Sequence, residues 1–130
     1  MLLFGHPLIP SERFYHIESI EAIDKTPSNS VIALFFAPEN LDVIAYLRAN
    51  KIRFALYVAS ITEAVLAENL DANYLLVHPK NAEEIQKVAE HYLFDAKVLG
   101  YIDDEDQLEK LIDMRLDGAI FIEAIVKITS

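Results

Sequence analysis

RFALYVASITEAVLAENLDANYLLVHP, residues 53–79, reads as strand, helix, strand. Phe54-Ala-Leu-Tyr-Val58 is a short apolar run rich in β-formers. Ser60 follows, with Glu63 three residues on, the spacing of a capping box that starts a helix. The helix runs to about Leu70, and Leu70-Asp71-Ala72-Asn73 turns the chain. Tyr74-Leu-Leu-Val77 is the second strand. Neither apolar run alternates with polar residues, so both sheet faces should be covered, as in a parallel sheet.

The same unit recurs on either side. Residues 31–36 (VIALFF) are a strand, and Pro38 stands where a helix tolerates it best. The helix over 39–49 carries Leu41, Val43, Ile44, Ala45, Tyr46 and Leu47, which leaves little polar face. A helix apolar nearly all round is buried on more than one side. Asn81 and Glu84 form another capping-box pair, which predicts a helix over 82–93. Residues 98–102 and 119–122 are the next strands, with Asp103-Asp-Glu-Asp106 leading into a helix between them. Leu70-Asp71-Ala72, Phe94-Asp95-Ala96 and Leu116-Asp117-Gly118 repeat one turn pattern. Residues 1–29 are irregular and are expected to pack on the sheet edge, with short extended pieces at Leu2–Phe4 and residues 14–17.

At 130 residues, 53% of them hydrophobic and 25% charged, the chain makes one globular domain. Its formal net charge of −10 argues against nucleic acid and anionic membrane surfaces, which need clustered Lys and Arg. With no cysteine it has neither disulfides nor thiolate chemistry, as suits a reducing cytoplasm. MLLFGHPLIP lacks the basic region and the apolar length of a signal peptide. A cytoplasmic protein is expected.

Five strands alternating with four helices predict a single α/β domain around a mostly parallel sheet. A flavodoxin-like open sheet is the first arrangement expected, and a half TIM barrel the alternative. A half barrel would expose its inner face unless a partner or the N-terminal segment covered it.

The pair of turn and strand at Leu70–Val77 with His78-Pro79, and Leu116-Asp-Gly-Ala-Ile-Phe121, resemble the later βα units of phosphate-handling TIM barrels of the aldolase and phosphodiesterase kind. The resemblance spans residues 54–123. It implies a barrel-type scaffold without the chemistry. The strand over 119–122 has no Schiff-base lysine, Lys127 lies too far along, and the phosphodiesterase-type His and Glu motifs are absent.

Three glycines leave no room for a glycine-rich nucleotide loop, and no cofactor or metal is expected. Ligands of parallel α/β domains bind at the carboxyl ends of the strands. His78, Lys80, Asp103 and Glu123 are the candidate ligand-binding residues there, for a small anionic metabolite bearing phosphate or carboxylate. No catalytic residue is assigned. Ser60 lacks the flanking glycines of a nucleophile elbow and reads as a cap. Asp103 and Asp104 read as helix-capping residues, His6 and His16 are isolated, and the six tyrosines read as core rim. The leading expectation is a non-enzymatic domain that acts through protein association as a homodimer, with Val43, Tyr46 and Leu47 at the interface. A metabolite-binding module or enzyme using the strand-end edge is the alternative.

Overall fold

Alternate residues of each strand face opposite ways, and in this protein the two sets enter two separate cores. The computed structural model describes residues 1–128. Its strands are β1 (Leu2–Phe4), β2 (Phe14–His16), β3 (Val31–Phe35), β4 (Phe54–Tyr57), β5 (Tyr74–Val77), β6 (Lys97–Ile102), β7 (Gly118–Phe121) and β8 (Val126–Lys127). The helices are α1 (Leu41–Ala49), α2 (Ile61–Asn69), α3 (Pro79–His91) and α4 (Leu108–Asp113). Short 3₁₀ turns occupy Glu21–Lys25, Pro38–Asn40, Glu105–Gln107 and Ile122–Ala124.

All strand pairs are parallel, in the order β1-β7-β6-β5-β4-β3-β2-β8. The sheet has eight strands where five were expected. The additional three come from the irregular N-terminal segment and the C-terminal end. β1 pairs with β7 and β2 with β3, so residues 1–29 supply strands to both sides of the sheet. The flavodoxin-like order is replaced by the half-barrel. From β2 to β7 each strand lies beside its sequence neighbour, with no reversal of direction. Right-handed crossovers without a reversal put every helix on one face. Accordingly, Ile44, Leu47, Ala64, Ala67, Ile85 and Leu111 from the helices pack with Leu34, Leu56, Leu75, Val77 and Val98 in one core.

The other core contains no α-helical residue. Phe4, Phe14, Val31, Ala33, Ala55, Leu76, Leu99, Ile120 and Ile125 form it, all buried. This concave face is covered by the sheet itself, because the sheet curls. β1 and β2 stand six strands apart in the order, which is about 29 Å in a flat sheet at about 4.8 Å per step. Yet the rings of Phe4 and Phe14 are 5.1 Å apart, and each meets Tyr74 of β5, at 5.5 and 5.3 Å. Gly5 makes the closure sterically feasible. It has φ +85°, and a Cβ there would lie 2.4 Å from that of Ala124.

The amino-terminal ends of the strands are tied by side chains on backbone amides. Asn73 accepts from the Phe54 N–H at 3.0 Å, and Asp117 from the Val98 N–H at 2.9 Å. The Glu68 carboxylate accepts from Asp95 and Ala96, at 3.0 and 2.9 Å. Gln86, 2% exposed, accepts from the Asp117 N–H. One end of the half-barrel is therefore pinned by hydrogen bonds, while all the strands deliver their carboxyl ends to the other.

Candidate functional site

The last inward-facing position of each central strand is aromatic or histidine, where the layers beneath are mostly aliphatic. These residues are His16 on β2, Phe35 on β3, Tyr57 on β4, His78 just past β5, and Tyr101 on β6. Their rings form a continuous arc. His16 meets Phe35 at 5.5 Å and Tyr57 at 6.0 Å. Phe35 lies 4.9 Å from Tyr57, Tyr57 lies 5.8 Å from Tyr101, and Tyr101 lies 5.7 Å from His78. The parallel register that pairs Phe35 with Tyr57 sets them side by side. His16 is buried, yet Phe35 is 55% exposed, on the face where every deeper neighbour on its strand is buried.

Burial pushes the Tyr57 hydroxyl up to about 12, with a smaller contribution from Tyr101. Burial raises Tyr101 as well. Both phenols therefore stay protonated at neutral pH, as neutral donors on the floor of the mouth. His78 Nδ1 accepts from the Lys80 N–H at 3.1 Å and caps α3, so the neutral ring carries its proton on Nε2. Capping by His78 with Pro79 at the first helical position starts α3 three residues before the predicted start, since Pro79 forgoes no hydrogen bond there.

His6, beyond β1, is paired with Glu105. Its Nε2 lies 2.6 Å from the Glu105 carboxylate, and its Nδ1 accepts from the Leu8 N–H at 3.1 Å. The ring packs edge-on against Phe121 at 5.4 Å. With both nitrogens engaged, His6 clamps the N-terminal loop to the turn after β6. A cleft of about 440 Å³ runs along the seam between β1 and β2, lined by Gly5, Glu12, Arg13, Glu123 and Val126 among others. Within it Glu12 is paired with Arg53.

Carboxylates occur at both ends of the barrel, whereas the arginines lie at one. Glu18, Glu39, Asp42, Glu63, Asp103, Asp104, Glu105, Asp106 and Glu123 all follow a strand or open a helix, at the mouth. Lys80 and Lys127 are the basic residues there. The four arginines, at 13, 48, 53 and 115, precede strands or close a helix at the far end. Acids at helix starts and bases at helix ends complement the helix dipoles. The acidic run after β6 does this through a capping box. Asp104 accepts from the Asp106 N–H, and Gln107 accepts from the Asp103 and Asp104 N–H groups.

Of the residues expected from sequence, His78, Lys80, Asp103 and Glu123 all lie at this end, and all are exposed. Only His78 joins the aromatic arc. Among the described residues no hydrogen bond or ion pair links the four side chains to one another. Nor, among the described residues, do three His, Asp or Glu side chains converge as a metal site. The expected interface loses two of its three members to the chain's own core. Val43 is 7% and Leu47 0% exposed, packed beneath α1, and only Tyr46 reaches the surface, at 36%. Among the described residues no helix is long and apolar enough to cross a membrane.

The residues that sequence reasoning missed are His16, Phe35, Tyr57 and Tyr101. The signal that finds them is position: each is the last inward residue of its strand. That signal is silent while both faces of every strand are apolar. The chain matches no protein-family model and no curated protein at a significant level.

Proposed function

We propose that this chain is a binding module whose mouth takes a small organic cation. The observation that carries this is the ring arc His16–Phe35–Tyr57–Tyr101, with Phe35 held 55% exposed on the inner face. Aromatic faces attract cations through the ring quadrupole. The carboxylates around the mouth give the local field the same preference and oppose the phosphate or carboxylate ligand expected from sequence. At neutral pH Tyr57 and Tyr101 hold their protons and act as donors, not bases.

The test is NMR titration with benzyltrimethylammonium, using benzoate as the anionic counterpart. Shifts are expected at Phe35, Tyr57 and Tyr101 for the cation alone. Replacing one ring, as in Tyr57→Leu, should weaken binding about five- to thirty-fold, the equivalent of about 1–2 kcal/mol for one cation–π contact. Benzoate binding as tightly as the cation, or shifts that map away from the arc, would refute the reading.

A further inference from the structure

His16 ends the ring arc on the β2 side of the mouth. Phe14 and His16 share one face of their strand, because alternate residues point the same way. Phe14 belongs to the inner core, so the imidazole is aimed inward as well. Its side chain is only 10% exposed. Glu18 Oε1 stands 3.6 Å from Nε2, too far for a hydrogen bond. Among the described residues neither ring nitrogen of His16 has a hydrogen-bond partner, and no fully enclosed side-chain nitrogen or oxygen lacks one. The nitrogens of His16 therefore keep a path to the open mouth. An imidazole this deep ordinarily finds a partner within the protein. The other histidines at this end do. His6 is engaged through both nitrogens, and His78 accepts from the Lys80 N–H through Nδ1.

We propose, on the cation reading of the mouth, that His16 selects a cation that carries N–H, a protonated amine rather than a quaternary ammonium. A neutral imidazole has one N–H and one bare nitrogen, which accepts. A quaternary ion has no hydrogen to give that nitrogen, whereas an ammonium donates to it. The rings of Phe35 and Tyr57 lie 5.5 and 6.0 Å from the imidazole, so a cation held at His16 stays within reach of their π-systems. The exposed Glu18 carboxylate stands close enough to the imidazole to supply the counter-charge to the same ammonium. Lys127 is the register partner of His16 on β8, and it is exposed, so its long stem lets its own charge stand off in water. An arc of rings alone would make the opposite choice, because quaternary ammonium ions are the usual guests of aromatic cages. The unpartnered imidazole is what reverses it.

Benzylammonium and benzyltrimethylammonium share one ring and one charge and differ in N–H, so titrating each into the full chain at neutral pH tests the proposal. Benzylammonium is expected to bind about tenfold more tightly or better, the equivalent of one hydrogen bond to a charged group. His16→Phe keeps an aromatic ring and removes the acceptor. It should bring the two affinities together, chiefly by weakening benzylammonium. Nitrogen NMR of the imidazole in the wild-type chain gives a check that does not depend on how the variant folds. The bare nitrogen should shift with benzylammonium and hold its position with benzyltrimethylammonium. Equal or tighter binding of the quaternary ion overturns the role of His16 while leaving the cation reading intact. So does an imidazole that carries both protons before any ligand is added, or a folded His16→Phe chain that keeps the preference. If neither cation shifts the rings of the arc, this role and the cation reading fall together.

Discussion

Tyr57 condenses the mouth into one titratable group. Its phenol is raised from 10.0 to about 12, mainly by burial. The fold thus favours the protonated form. Below pH 10.0 folded and unfolded chains both keep that proton, and the contribution to stability is complete. Between pH 10.0 and about 12 the unfolded chain gives it up first, and stability falls as pH rises. The check is phenolate absorbance during an alkaline titration. One ionisation should lag well behind the exposed tyrosines, and Tyr57→Phe should remove it and flatten the alkaline loss of stability. If every tyrosine of the folded protein titrates together near the ordinary value, the packed arc does not exist in solution. Composition placed Tyr57 only on the core rim. Phe54, Ala55 and Leu56 are as apolar as one another, so nothing in the strand says which way Tyr57 points until the curl of the sheet is known.

Elements were the most legible level, for reasons that lie in their caps. Ser60 accepts from the Glu63 N–H at 3.1 Å as read from sequence, while the Glu63 carboxylate accepts from the Ala59 N–H at 2.9 Å, one residue before the cap, so the expected box is shifted on its return side. Ser60→Ala should therefore cost about 1 kcal/mol in equilibrium denaturation. Asn81→Ala should cost far less, because α3 is capped by His78 and its helix already runs past Asn81. An equal cost for the two would mean that the Ser60 cap contributes nothing special. The βα units from β3 to β7 were readable because apolar runs alternate with capped helices. β1 and β2 were readable only as short extended pieces and β8 not as a separate strand, since two or three residues carry no periodicity. They become strands only because neighbouring edges offer unpaired amides and carbonyls. The apolar α1 resolves in a similar way. Val43, Ile44 and Leu47 form an ordinary inward stripe, and Ala45 and Tyr46 are merely outside it. The unusual helix is α2, whose alanines allow a close approach to the sheet and leave its larger side chains outside.

At the scale of the whole molecule, the decisive event is the closing of the sheet over its own apolar face. Phe14 shows what this entails. On an open sheet it would sit next to the edge, on a strand of three residues, with one side of its ring in water. Here it is 1% exposed, against Phe4 and Tyr74 from strands across the lumen. The curled and flat arrangements therefore assign this residue different energies. Phe14→Ala in a closed lumen should cost about 3–5 kcal/mol, since it leaves a cavity that facing strands cannot all collapse into. A domain of this kind has only about 5–15 kcal/mol in total. The variant should consequently unfold at much lower denaturant and, if it stays folded, bind a hydrophobic dye at the opened seam. Phe14→Leu, which keeps most of the volume, should recover the larger part of the loss. A cost for Phe14→Ala no greater than that of a half-exposed residue would mean that the sheet lies open in solution. It would also remove the platform beneath His16, Phe35 and Tyr57, because the arc of rings at the mouth exists only where the strands curve toward one another.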